Sequence, residues 1–210
     1  MIHMTETLGV QTVEDFLTTD ETAELTKIVD DHLAATGWVP ARPSEGTTPP
    51  QAAQAVLNGA VHRALPVLRR VFPSAVGVDE WLYHDLKPGD RIRPHVHGVG
   101  DPQARPHRIA RVVFNLQDAD EGGQFYLDTY ASDDLWSQAV PDSSDHGPGT
   151  RYVPEITARS GPVKLDEIPH TRWICVPPPG TLVVYGSQLV HGVTPLVSGR
   201  ARKLITDLLA

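Results

Sequence analysis

The chain of 210 residues has a single cysteine, so no internal disulfide can form. Cys175 has no basic or histidine neighbour in sequence and reads as a small buried apolar residue rather than a reactive thiol. No stretch approaches the roughly 20 uninterrupted apolar residues of a bilayer-spanning helix. The opening Met1-Ile2-His3-Met4-Thr5-Glu6 also lacks the basic-then-apolar layout of a secretory leader. A soluble, cytoplasmic protein without a membrane partner is the expectation. Basic charge is scarce too: 18 Lys plus Arg stand against 26 Asp plus Glu, a formal net charge of −8. That balance argues against nucleic acid as a partner, because phosphate binding needs a basic footprint. The scarcity is local. Between Arg111 and Arg151 there is no Lys or Arg, while Asp118, Asp120, Glu121, Asp128, Asp133, Asp134, Asp142 and Asp145 are all acidic. Such a run is either a solvated loop or a charged cover over a site.

What is present is globular composition, 40% apolar and 21% charged, enough for one sizeable core in one domain. Thr18-Thr19-Asp20-Glu21 reads as a helix start with Thr19 or Asp20 as the cap, and the apolar positions Leu25, Ile28, Val29 and Leu33 carry that helix to about Ala35, before Gly37. A second helix is expected over Gln51 to Val71, bent or interrupted by Gly59 and Pro66. Beyond Val76 the pattern changes to short β-prone runs: Glu80–Leu86, Ile109–Leu116, Gln124–Leu127, Trp173–Val176, Gly180–Tyr185 and Lys203–Leu209. The expectation is a mainly β fold with N-terminal helices: residues 1–75 a helical support, residues 76–210 an antiparallel β core. Residues 129–171, rich in Asp, Ser, Gly and Pro, read as a long loop insertion of the lid or binding-loop kind.

Of ten histidines, three stand apart: His95 and His97 in Arg93-Pro94-His95-Val96-His97-Gly98, and His191 in Leu189-Val190-His191-Gly192-Val193. Residues two apart on a strand project to one face, so His95 and His97 can offer both imidazoles to one point. A third ligand from a distant strand would complete a triangular face on a metal ion and leave other positions open. An H-x-H pair taken alone fits structural or surface histidines equally well.

The surroundings of these histidines carry a resemblance. Trp81-Leu82-Tyr83-His84-Asp85-Leu86-Lys87-Pro88-Gly89-Asp90 ahead of His95, then Arg111-Val112-Val113-Phe114-Asn115-Leu116 closing on Glu121-Gly122-Gly123-Gln124-Phe125, is similar to the iron- and 2-oxoglutarate-dependent dioxygenases of the prolyl 4-hydroxylase type. Most specific is Pro179-Gly180-Thr181-Leu182-Val183-Val184-Tyr185-Gly186-Ser187-Gln188-Leu189-Val190-His191-Gly192-Val193-Thr194-Pro195, which resembles the family's strand with the distal histidine. Even Val13-Glu14-Asp15-Phe16-Leu17-Thr18-Thr19-Asp20-Glu21 resembles the family's opening.

The resemblance implies a double-stranded β-helix, or jelly roll, with Fe(II) at its mouth, 2-oxoglutarate as co-substrate and O2 as oxidant. It implies His95 and His191 as metal ligands. For the basic residue that grips the far carboxylate of 2-oxoglutarate it points to Arg202, with Arg200 as a rival, since a guanidinium fork matches a carboxylate. Tyr83 and Asn115 are candidates for contact with the co-substrate, although both also fit a structural role. One departure stands out: the family's aspartate ligand is here His97, which raises the charge of a metal site by one unit and removes an oxygen donor. Asp101 is a candidate substitute or outer ligand. Halogenation is disfavoured, because the imidazole fills the position that halogenating relatives leave open.

Gly89 to His97 also resembles the first cupin motif, but the glutamate expected after the pair is missing and Gly180 lies eleven residues before His191. Three readings remain: an oxygenase consuming 2-oxoglutarate, a three-histidine iron oxygenase needing no oxoacid, and a non-catalytic β-helix domain that binds a metal or ligand. A small-molecule substrate is expected. If Asp128, Asp133 or Asp134 covered the mouth, that substrate would be cationic, such as a basic amino acid or derivative.

Overall fold

The computed structural model describes residues 1–99, 101, 103–131, 138–139, 145–147, 150–152 and 165–210. In chain order the elements are α1 (Met4–Leu8), β1 (Val10–Val13), α2 (Thr19–Thr36), β2 (Gly46–Thr47), α3 (Gln51–Leu68), β3 (Gly77–Val78), β4 (Leu82–Leu86), β5 (Ile92–His95) and β6 (Arg108–Gln117). There follow β7 (Glu121–Gly122), β8 (Phe125–Tyr130), β9 (Gln138–Ala139), β10 (Arg151–Tyr152), a single 3-10 turn at Leu165–Glu167, β11 (His170–Cys175), β12 (Leu182–Gly186), β13 (Val190–Val193), β14 (Leu196–Ser198) and β15 (Ala201–Leu209).

Helix α2 is capped by Thr18, one residue before the first of the caps read from sequence. Thr18 accepts from the Glu21 amide while the Glu21 carboxylate accepts from the Thr18 amide, a reciprocal capping box. Gly37 ends the helix in the left-handed region, φ 63°, and its amide returns to the Leu33 carbonyl. Helix α3 passes through Pro66 and stops at Leu68, three residues short of the expected end. Val10–Val13, assigned to no element from the sequence, is a strand paired with β12. Ile92–His95 forms a strand despite Pro94, as the spacing of His95 and His97 requires.

The strands form two main antiparallel sheets. The larger has seven strands in the order β1-β12-β6-β15-β4-β2, with β3 also on β15; the smaller has the order β11-β8-β13-β5. Because side chains alternate faces, each strand of the large sheet divides its residues between two environments. Val112, Phe114, Leu182, Val184, Leu204 and Leu208 face Leu25 and Val29 of α2 and Leu57, Val61 and Leu68 of α3, the principal apolar core. The intervening residues Val113, Val183, Tyr185 and Ile205 face the other way and pack against Phe125 and Leu127 of the small sheet. The space between the sheets is where the histidines meet.

Of the loop insertion expected over residues 129–171, the ends belong to β8 and β11, and of the acidic run Asp133, Asp134 and Asp142 lie outside the described residues. Among the described residues, no helix is long and apolar enough to cross a membrane.

Candidate metal centre and its two cavities

His95 closes β5 and lies directly opposite His191 of β13 in the strand register. Val96, between the two histidines of the pair, is buried on the outer side of the small sheet against Val190 and Leu165. That burial turns His95 and His97 inward together. Gly98 then turns the chain with φ 62°, its amide donating to the Ser187 carbonyl at 2.8 Å, which ties the His97 segment to the end of β12. One donor nitrogen from each of His95, His97 and His191 falls within 4.8 Å of the others. Ring centroids lie 4.2 Å apart for His95 and His191, and 5.1 Å from His97 to each.

The rings are oriented from behind. Nδ1 of His95 lies 3.0 Å from the Arg93 carbonyl, and Nδ1 of His191 lies 2.9 Å from the Leu189 carbonyl. A carbonyl only accepts, so each Nδ1 carries a hydrogen, and in the neutral ring this places the lone pair on Nε2, the tautomer a metal ligand needs. Burial, then the neighbouring His95 and His97, hold His191 well below the ordinary histidine range. Burial, then Arg111 and His95, do the same for His97. Three imidazoles with converging donor nitrogens fit a divalent ion, whose nitrogen ligands sit about 2.0–2.1 Å away. Gly192 permits the close packing behind His191: a Cβ there would lie 2.3 Å from the Tyr126 hydroxyl oxygen and 2.5 Å from the Ile92 carbonyl oxygen.

The triad lines a cavity of about 180 Å³ between the sheets, walled by Leu86, Val113, Phe125, Tyr185 and Ile205 and carrying His84, Arg111 and Lys203. No Asp or Glu lines it among the described residues. Lys203 is 4% exposed, and its ammonium donates to the neutral Asn115 side-chain oxygen at 2.8 Å. Burial pushes its pKa down to about 8. His84, opposite Lys203 in the register, is held down at about 4 by burial, then Arg111 and Lys203, so it too is neutral. A second, outer cleft of about 760 Å³ meets the inner cavity at His97, Arg111 and Ile205.

Sequence reasoning brought the three histidines together, and the structure does likewise; it does not bring Arg202, Arg200 or Tyr83 to them. Arg202 shares its strand face with Leu204 and Leu208, toward the helices. There it donates from Nε to the Tyr83 hydroxyl at 2.8 Å, and from Nη2 to Asp30. Tyr83 lies in the helix-side core. Arg200 donates from Nε to Asp85 at 2.8 Å. The basic residue that β15 turns inward is Lys203, one position on, beside Asn115. The signal was in the alternation: Leu204 and Leu208 belong to the core, so 202 shares their face and 203 does not. Asp128 does not stand over the triad either. It is buried, opposite Val190 rather than His191, and accepts from Arg172 Nε and Nη2, both at 2.8 Å. Asp101 lines the outer cleft and accepts from the Gln103 amide. Cys175 is half-buried against the inter-sheet apolar cluster, and burial raises its pKa.

No protein-family model matches the chain, and no curated protein matches it in sequence. Solved structures do match in fold. A prolyl-4-hydroxylase from Pseudomonas putida is 17% identical, with a TM-score of 0.58 over 97% of this chain and 93% of that one. A viral collagen prolyl hydroxylase from Paramecium bursaria Chlorella virus-1, in complex with 2-oxoglutarate, is 14% identical, with a TM-score of 0.56 over 96% and 95%. A prolyl hydroxylase from Trichoplax adhaerens, bound to a peptide of the hypoxia-inducible factor oxygen degradation domain, is 13% identical, with a TM-score of 0.58 over 98% and 87%. The chain therefore shares the fold of the prolyl hydroxylases, nearly end to end, with an H-x-H pair and a distal histidine inside it.

Proposed function

We propose that this protein is a non-haem Fe(II) oxygenase that uses 2-oxoglutarate and O2 to oxidise a C–H bond of a small molecule, its two sheets forming a double-stranded β-helix. The observation that carries this reading is one cavity in which three converging imidazoles face the same space as a buried ammonium whose hydrogen bond goes to a neutral amide. A buried cation without a carboxylate partner is costly, and a ligand carboxylate relieves that cost. His95, His97 and His191 would hold the iron, and Lys203, steadied by Asn115, would grip the far carboxylate of the oxoacid. Bound there, iron and 2-oxoglutarate supply the oxidative decarboxylation that activates O2, with succinate and carbon dioxide as products.

The chain's own contribution is positioning. The carbonyls of Arg93 and Leu189 hold two imidazoles in the ligating tautomer, and the apolar walls from Leu86, Val113, Phe125 and Ile205 keep water from the reacting centre. At about 180 Å³ the inner cavity is smaller than the roughly 300–1,000 Å³ of pockets for drug-sized ligands, which suits a short diacid and leaves the outer cleft to the primary substrate.

The test is anaerobic addition of Fe(II) followed by 2-oxoglutarate. The expected result is a weak visible charge-transfer band that needs both additions and is lost in His191→Ala. His97 favours one rival, a three-histidine oxygenase that needs no oxoacid, and O2 uptake with Fe(II) alone would establish it. Neither signal would leave a non-catalytic metal-binding domain.

A further inference from the structure

We infer that Arg111 is the anchor for a carboxylate on the primary substrate, so that the enzyme acts on an anionic small molecule. This rests on the oxygenase reading above and adds the class of substrate.

Position comes first. Among the described charged residues, Arg111 alone lines both the inner cavity and the outer cleft, at the junction that it shares with His97 and Ile205. A molecule reaching the triad from the cleft passes its guanidinium. On β6 the inward-facing positions are Arg111, Val113 and Asn115, paired in turn with Asp207, Ile205 and Lys203 of β15. Four strand steps separate Arg111 from Asn115, about 13 Å between Cα atoms. The two cations therefore stand at opposite ends of the inward face, and a diacid held by Lys203 leaves Arg111 to a second anion.

The donors come next. Arg111 is 19% exposed and donates from Nη1 to Asp207 at 2.6 Å, an end-on contact. Its other N–H groups have no hydrogen-bond partner among the described residues, and a guanidinium offers them in a planar fork that fits a carboxylate. Asp207 also takes Arg108 at 3.4 Å, so one carboxylate is divided between two guanidiniums. The sign of the site follows from its lining. Among the described residues, the outer cleft carries Asp79, Glu80, Asp101 and Asp207 against three arginines and is nearly balanced, but the inner cavity has cations and no acid. An ammonium group brought to the triad would meet Arg111, Lys203 and a divalent ion. The selection is thus for negative charge, on a molecule whose net charge is −8.

The probe is fluoroacetate, followed by 19F NMR, titrated into Co(II)-loaded protein saturated with 2-oxoglutarate, with neutral fluoroacetamide as control. Wild type is expected to bind fluoroacetate and not the amide. Arg111→Met is expected to bind it at least about tenfold more weakly, as for loss of one charge-assisted hydrogen-bonded pair, with the 2-oxoglutarate affinity changed less than about twofold. Asp207→Asn, which keeps the guanidinium and removes its tether, is expected to bind fluoroacetate as well as wild type or better. Equal binding of the amide, undiminished binding by Arg111→Met, or no binding by wild type overturns the proposal. If 2-oxoglutarate itself does not bind, the oxygenase reading falls. The Arg111 site is then judged in metal-free Lys203→Met protein, where Arg111 is the remaining cation of the cavity, by the same loss on adding Arg111→Met.

Discussion

Lys203 is the residue on which the electrostatics of the inner cavity turn. Burial lowers its pKa from 10.5 to about 8, whereas an unfolded chain keeps the proton to about 10.5. Between those values the unfolded state binds more protons, so stability rises with pH across this window, and the cost of the buried ammonium is fully present below pH 8. Removing the charge should therefore stabilise the ligand-free protein: Lys203→Met is expected to exceed wild type by up to about 3 kcal/mol at pH 7 in urea unfolding, a difference that shrinks towards pH 10. Anion binding has the opposite dependence on the same group. The affinity for 2-oxoglutarate, followed by calorimetry on Mn(II)-loaded protein, is expected to be flat below about pH 7 and to fall up to tenfold per unit above about pH 8.

His97 sets the charge of the metal site in the same way. Replacing its neutral imidazole with a carboxylate lowers the net charge of an ion-loaded site by one unit, so His97→Asp is expected to bind 2-oxoglutarate several-fold more weakly than wild type at equal metal loading. An unchanged or tighter affinity would mean that the imidazole at 97 does not touch the ion's field.

At the scale of the element, the parity of β15 decides which basic residue faces the cavity. Arg202 and Tyr83 bond to each other on the helix side, with Asp30 of α2 completing the group. They join the helices to the large sheet. Arg202→Met is expected to cost about 1–3 kcal/mol of stability, because the Tyr83 hydroxyl and Asp30 lose a charged donor, and to leave the 2-oxoglutarate affinity unchanged. A large loss of affinity with intact stability would return Arg202 to the co-substrate. In β13, Gly192 is the place where the small sheet is tightest. A methyl group there collides with the Ile92 carbonyl and the Tyr126 hydroxyl, so Gly192→Ala should separate β13 from β5. The expected outcome is a loss of about 1–3 kcal/mol and weaker metal binding, since His191 and His95 face each other across that pair. Chemical denaturation and a Co(II) titration read the two effects separately.

At the scale of the whole molecule, the metal centre joins the two ends of the β region. His95 and His191 lie 96 positions apart in the chain, so an ion held between them binds the folded state and not the unfolded one. By mass action, a divalent ion at about 100 times its dissociation constant adds roughly 2.7 kcal/mol to unfolding. Wild type is expected to show a rise in Tm with Mn(II) that is reversed by a chelator and absent in His191→Ala. The apolar core on the other side of the large sheet, from Leu25 and Leu57 to Phe114 and Leu204, supports the same sheet from behind. The site faces one side of this sheet and the helices the other, which is how one strand carries both a core leucine and an interior lysine.

Much of this arrangement was legible along the chain. Apolar period located α2 and α3, β-prone runs located most strands, and the spacing of His95, His97 and His191 brought out the triad, because these are local signals of residue type and interval. Which residue of the basic pair Arg202-Lys203 faces the cavity was not legible: the two look alike in composition, and only their phase against the buried leucines separates core from cavity. The partner of Asp128 was not legible for a related reason: charge can be counted in a sequence but its partners cannot, and Asp128 is held by Arg172 from a strand 44 residues away. The position of Arg111 at the meeting of two cavities had no sequence signal at all. Residue types and their periods determined most elements and singled out the three histidines; the pairing of strands distant in sequence decided which charges face each other, because a sheet assigns each side chain to a face by its register and not by its neighbours in the chain.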